Sequence, residues 1–135
     1  MNDVERLNEQ CRDTLTESLG IVFTGAGDHW LEARMPIDSR TRRPGNLLHG
    51  GAIMALAETV GSGLPFLHAP EGCEVYGVEI NGNHLRRARG SFVTGRAEFI
   101  HAGKRAQVVS VRVTDEFNAL VSVCRVTSMI LPAGE

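Results

Sequence analysis

The chain has 135 residues, with 14 Lys and Arg against 16 Asp and Glu and a formal net charge of −2. That length suits one domain with one core, and the balanced, well-mixed charge excludes a general attraction to nucleic acid or to an anionic membrane. The three cysteines, Cys11, Cys73 and Cys124, lie far apart without CxxC spacing; they read as reduced thiols of a cytoplasmic protein.

Val4, Leu7, Cys11, Leu15 and Leu19 recur at steps of three and four, which predicts one amphipathic helix over about residues 2–18. Asn2 and Glu5 have capping-box spacing at its start, and Gly20 ends it. This segment is too charged for a signal peptide. Residues 19–24 and 29–35 read as two strands joined by a GAGD turn. The second alternates Leu31, Ala33 and Met35 with Trp30, Glu32 and Arg34, and Pro36 closes it. Residues 37–48 form a basic loop holding a Pro44-Gly45 turn.

The organising stretch is HGGAIMALAETVGS, residues 49–62. It predicts a helix from about Gly51 to about Phe66, with Gly61, Gly63 and Pro65 loosening its end. A helix apolar on every face belongs in a core. It falls short of the ~20 apolar residues of a membrane span. Residues 73–86, 91–101, 107–113 and 119–131 then read as strands joined by short turns, an antiparallel meander. Only the central helix is long and apolar enough to cover that sheet. The fold class is therefore α+β, a curved antiparallel sheet wrapped around one long helix, with residues 1–135 as a single domain.

Glu58 interrupts the apolar run, and a lone buried carboxylate is costly without a partner. Glu58, Thr59 and Ser62 fall on adjacent turns of one side. At the helix start, His49-Gly50-Gly51 offers backbone N–H groups with positive partial charge, and glycine lets a carbonyl approach them as in an oxyanion hole. The plain alternatives are a surface or structurally paired Glu58, back-bonded Thr59 and Ser62, and His49 as a simple cap. Gly50 and Glu58 stand about 12 Å apart along a helix rising ~1.5 Å per residue. One helix cannot place both on one small carbonyl, whereas two antiparallel copies about a twofold axis can. A carboxylate facing a polarised carbonyl points to acyl transfer to water, with Glu58 as general base or as nucleophile.

LLHGGAIMALAETVGS, GVEINGNHLR, the IHAGKR turn and CRVTSMIL resemble the hot-dog-fold acyl-CoA thioesterases, of the type found in phenylacetate degradation and enterobactin-synthesis proofreading. The resemblance runs over about residues 19–131. It implies a hot-dog fold whose subunits pair through a continuous sheet into a homodimer and again into a dimer of dimers. It also implies hydrolysis of acyl-CoA or acyl-carrier-protein thioesters with aromatic or medium-chain acyl groups. Coenzyme A is then part of the substrate, and neither a resident cofactor nor a metal is expected. By the same resemblance Glu58 aligns with the catalytic carboxylate, Gly50 with the backbone donor to the thioester carbonyl, His49 with a histidine near the thioester, and Ser62 with a residue that helps hold water. His84 and Arg86 match positions near the nucleotide end of coenzyme A. Lys104, with Arg105 beside it, is expected at a phosphate; solvated surface is the alternative for these basic residues. Met54, Phe66 and Tyr76 are candidate acyl-pocket walls.

Arg43 departs from the pattern, standing where such enzymes carry a glutamine before Pro. An arginine there polarises the carbonyl more strongly, binds an acidic acyl group, or pairs with Glu58. The three readings stay open on sequence alone. The rival functions are an acyl-thioester dehydratase or hydratase of the same fold and a non-catalytic acyl-CoA-binding module. No DNA-binding segment accompanies this short chain, which argues against a regulator.

Overall fold

Alternating strands and a glycine-bearing helix decide the architecture of the computed structural model, which describes residues 1–134. In chain order the elements are α1 (Asp3–Gln10), α2 (Leu15–Ser18), β1 (Val22–Ala26), β2 (Trp30–Pro36), β3 (Arg42–Arg43), β4 (Leu47–Leu48), α3 (Gly50–His68), β5 (Cys73–His84), β6 (Phe92–Ala102), β7 (Ala106–Asp115) and β8 (Leu120–Pro132). Six strands form one antiparallel sheet in the order β1-β2-β6-β7-β8-β5. Every second residue of the central strands points inward. Leu31, Ala33 and Met35 of β2, Val93 and Ala97 of β6, and Val109, Val111 and Val113 of β7 are fully buried. They meet Leu56, Val60 and Leu64 of α3, also fully buried. Each of these Val, Leu and Met side chains contributes about 1.5–3 kcal/mol by leaving water.

The central helix extends beyond the expected Gly51–Phe66, and its glycines do not loosen it. A Cβ on Gly61 would lie 2.6 Å from Val126 Cγ2, and one on Gly63 2.8 Å from Leu31 Cδ2. The missing side chains let α3 settle onto the sheet. Gly61→Ala should therefore overpack the core and cost about 1–3 kcal/mol, read as a lower urea midpoint. By length and composition α3 could cross a membrane, contrary to the sequence expectation. Nine of its residues are buried within the fold, however, which is the setting of a core helix.

The strands do not form a single meander. Of the four strands after α3 only β6, β7 and β8 follow one another; β5 pairs with β8 at the far edge, and β6 pairs with β2. Turn signals report that a chain reverses, not which neighbour it joins. Residues 85–91 carry the chain across the strand ends instead. Leu85 and Arg86 donate their backbone N–H groups to Val121 O at 2.7 and 3.3 Å, Arg89 N–H reaches Asp115 Oδ2 at 3.1 Å, and Ser91 N–H reaches Glu116 Oε1 at 2.9 Å.

Asp115 anchors this strap. It is 2 % exposed and also accepts N–H bonds from Phe117 at 2.9 Å and Ala119 at 3.1 Å. Desolvation pushes its pKa up, but the three N–H bonds and the nearby Arg89 charge prevail and hold it below the ordinary aspartate value. A depressed folded-state pKa stabilises the fold above the ordinary carboxylate range, and that contribution is lost as pH falls through it. Asp115→Ala should cost on the order of 3 kcal/mol at neutral pH. It should also flatten the acid limb of a stability–pH curve measured by urea unfolding.

The N-terminal segment is not one helix. The capping box forms as expected, with Glu5 N–H on Asn2 Oδ1 at 2.8 Å and Asn2 N–H on Glu5 Oε2 at 3.3 Å. Asp13 then adopts a left-handed φ of 61° and breaks the run before α2. Leu7 is 5 % exposed but Leu15 is 67 % exposed, so the apolar stripe stops at the break. Asn8 docks α1 on the sheet by bonding both backbone groups of Phe23, at 3.0 and 2.8 Å. The 37–48 loop is partly ordered into the β3–β4 hairpin, whose turn sets Gly45 and Asn46 at φ 89° and 59°.

One side of α3 lacks cover from this chain. Gly51, Glu58 and Phe66 are exposed there, and Met54, Ala55, Thr59 and Ser62 are half-buried. Beside this stripe runs β5, an edge strand of twelve residues with Tyr76 and Val78 exposed.

Candidate functional site

The start of α3 is built around His49. Its extended backbone makes it the N-cap; its carbonyl accepts from Ala52 and Ile53 N–H, and its Nδ1 accepts from Gly51 N–H at 2.7 Å. A neutral imidazole accepting at Nδ1 carries its proton on Nε2, so His49 presents a donor outward. With Gly51 occupied, the Gly50 N–H is the donor left without an acceptor among the described residues. His84 flanks it: His84 Nδ1 lies 2.7 Å from the buried Ser122 Oγ, and its Nε2 sits 3.0 Å from where a Gly50 Cβ would be. Arg43 is exposed on β3 and donates to Pro44 O at 2.6 Å. A cleft of about 220 Å³ brings Arg43, Gly50, Ile53, His84, Arg86 and Arg87 together. Four of the expected residues thus share one site.

Basic side chains continue along its rim. Arg42, Arg87 and Arg89 line an adjoining groove of about 450 Å³. Among the described residues, Arg42, Arg43, Arg86, Arg87 and Arg89 form no ion pair. The RRAR run at residues 86–89 was a visible charge signal, although only Arg86 was singled out from it.

Glu58 stands two turns along α3, exposed and without an ion pair or side-chain hydrogen bond among the described residues. The pairing of Arg43 with Glu58 is therefore not made within the chain. Thr59 back-bonds to Ala55 O at 2.7 Å, the plain alternative. Ser62 is half-buried and faces a second cleft of about 240 Å³, between α1 and α3. Of the three candidate pocket walls only Phe66 lines that cleft. Met54 Sδ instead receives the Cys124 thiol at 3.9 Å, and the Tyr76 hydroxyl donates to the Glu74 carboxylate.

Lys104 and Arg105 occupy the β6–β7 turn, away from His84 and Arg86. Ala106 pairs with Met129, which pairs with Tyr76 near the start of β5, whereas His84 ends that strand. At ~3.3 Å per residue the two groups lie roughly 26 Å apart. One chain cannot close all four around one small ligand. Sequence reasoning did not find Asn8, Asp115 or Ser122. Asn8 and Ser122 act on groups distant in the chain, so no local spacing marks them, and Asp115 joins its local bonds to Phe117 and Ala119 with a distant one to Arg89.

The sequence profile of the thioesterase superfamily matches residues 45–122. The chain is 42 % identical over 128 residues to the 1,4-dihydroxy-2-naphthoyl-CoA hydrolase of Escherichia coli, covering 95 % of this chain and 94 % of that one. It is 41 % identical to the proofreading thioesterase EntH of Cronobacter sakazakii, covering 95 % and 93 %. Among solved structures, a thioesterase of Haemophilus influenzae superposes with a TM-score of 0.95 at 41 % identity, covering 100 % and 94 %. The helix within its curved sheet is the hot-dog fold.

Proposed function

This chain belongs to the thioesterase superfamily and is a thioester hydrolase, and on that premise we propose that it cleaves acyl-CoA thioesters of aromatic or medium-chain acids in a site shared by two subunits. The carrying observation is the unsatisfied Gly50 N–H at the start of an uncovered stripe on α3 and the unpartnered Glu58 two turns along it. A second copy packed antiparallel on that stripe covers it and brings the partner subunit's Gly50 to Glu58. The free β5 edge supports the same pairing, since an exposed strand of this length invites continuation of the sheet.

In that site the thioester oxygen accepts from the partner subunit's Gly50 N–H, at the positive end of its helix. Glu58 takes a proton from an attacking water, or attacks the carbonyl itself to form an anhydride that water then cleaves. The C–S bond breaks, the coenzyme A thiolate leaves and is protonated, and the free acid departs. The partner subunit's Arg43, which shares a cleft with that Gly50, adds its fixed positive charge to the developing oxyanion. The arginine rim suits the phosphates of coenzyme A. The Escherichia coli relative's name, which specifies a naphthoyl-CoA, supports an aromatic acid as substrate.

A dehydratase fits less well. It needs a histidine and an acid close together around a β-carbon, whereas His49 spends Nδ1 on its own helix. A thiol-release assay across aromatic, medium-chain and long-chain acyl-CoAs tests the proposal. Turnover of the first two classes is expected. Tight binding with no thiol released would replace it with the binding-module reading.

A further inference from the structure

His84 ends β5, and Ser122 lies opposite it on β8 as its register partner. Just beyond the pair, Leu85 and Arg86 donate their N–H groups to Val121 O at 2.7 and 3.3 Å. The His84 backbone is thereby fixed, and its ring keeps freedom only about its own side-chain torsions. Ser122 removes that freedom. It is fully buried, its Oγ lies 2.7 Å from His84 Nδ1, and among the described residues the ring is its one side-chain partner. A buried hydroxyl with no other acceptor turns its proton to the ring nitrogen, because an orphaned donor is worse than an unused lone pair. Nδ1 therefore accepts, and the neutral ring carries its own proton on Nε2.

Nε2 is also the ring atom nearest the start of α3. It stands 3.0 Å from where a Cβ on Gly50 would be, with Cδ2 at 3.3 Å and Cε1 at 3.9 Å. Gly50 puts no side chain in the way, and its own N–H lacks an acceptor among the described residues. Two donors from distant parts of the chain thus meet in one corner of the cleft that Arg43 lines. Resting on the hydrolase reading above, we propose that His84 is a catalytic residue whose Nε2–H is a second donor to the thioester oxygen beside the Gly50 N–H, and that Ser122 is the positioning residue that fixes its tautomer and ring. No proton is transferred. The negative charge that develops on the oxygen is held by two hydrogen bonds in place of one. The sequence resemblance would seat His84 at the nucleotide end of coenzyme A instead. Arg42, Arg86, Arg87 and Arg89 already supply the cations that phosphates need, and a neutral imidazole adds none.

Truncated substrates separate the two ends of coenzyme A. His84→Ala should lower kcat roughly 100-fold, the scale of losing one oxyanion donor. The factor should be the same on benzoyl- or octanoyl-CoA and on the matching pantetheine thioester, which lacks the nucleotide. A loss confined to the coenzyme A ester, or carried by KM alone, returns His84 to the nucleotide and overturns the proposal. Ser122→Ala should lower kcat roughly 10-fold with KM unchanged, since a ring free to turn spends less time in its working position. In a His84→Ala background the same substitution should have no further effect. An equal loss in both backgrounds makes Ser122 merely structural and overturns its assignment. A further measurement on the parent protein needs no variant and no turnover. Two-bond proton–nitrogen correlation NMR of the His84 ring, at about pH 8 where an ordinary histidine is neutral, reads which nitrogen carries the proton. Nε2 is expected, and a proton on Nδ1 overturns the proposal. If the parent releases no thiol from any thioester, the hydrolase reading fails, and the ring tautomer alone decides the Ser122–His84 pairing.

Discussion

Glu58→Ala is expected to lower kcat by roughly 100-fold or more, the scale of losing a positioned general base or nucleophile. Melting temperature and urea midpoint should stay near those of the parent. Glu58 is exposed and carries no ion pair or side-chain hydrogen bond among the described residues, and such surface substitutions shift stability within about 0.5 kcal/mol. This combination separates chemistry from folding. KM should change little if Glu58 acts mainly in the transition state. Thiol release at the parent rate by Glu58→Ala would remove Glu58 from the mechanism. A burst of thiol in rapid-quench measurements would favour the anhydride route, and its absence the water route.

Two variants that are each inactive should restore activity when mixed. Gly50→Val keeps the N–H but fills the approach to it, and blocking an oxyanion donor costs roughly 100–1,000-fold in kcat. The backbone accepts the substitution because Gly50 lacks a positive φ, and the nearest atoms to an added Cβ, those of the His84 ring at 3.0–3.9 Å, need give way by only a few tenths of an ångström. In a mixed dimer with Glu58→Ala, one site carries both lesions and the other carries neither. Random reassociation after joint refolding should recover roughly a quarter of parental activity from two proteins near zero, as twofold symmetry requires. Mixed dimers confirmed by native mass spectrometry yet no more active than their parents would show that each site lies within one subunit.

The two variants rest on features of unequal visibility. The helix was legible because an apolar run carries its own signal, and the antiparallel strands were legible because alternation does too. Leu31, Ala33 and Met35 face the core as their alternation requires. His49, Gly50, Glu58 and Ser62 were legible as unusual residues in that run, since charge and glycine stand out against Ala, Ile and Leu. Arg43 was visible as a departure, but its setting was not. Its cleft joins residues from the β3–β4 hairpin, the helix start and the 85–91 strap, segments that meet only because β5 pairs with β8.

Sequence by itself determined a single long core helix, an antiparallel sheet to cover it, and the ~12 Å separation that denies one helix a complete site. These follow from period and rise, which are local properties of the backbone. Tertiary structure alone decided which strands are neighbours, which end of the sheet holds Lys104 and Arg105, and that α1 ends at Gln10 and packs beside Ser62. Those depend on contacts between residues far apart in the chain, such as Asn8 on Phe23 and Asp115 on Arg89. A hydrogen bond to a distant backbone group leaves no spacing in the sequence, so only the folded chain reveals it.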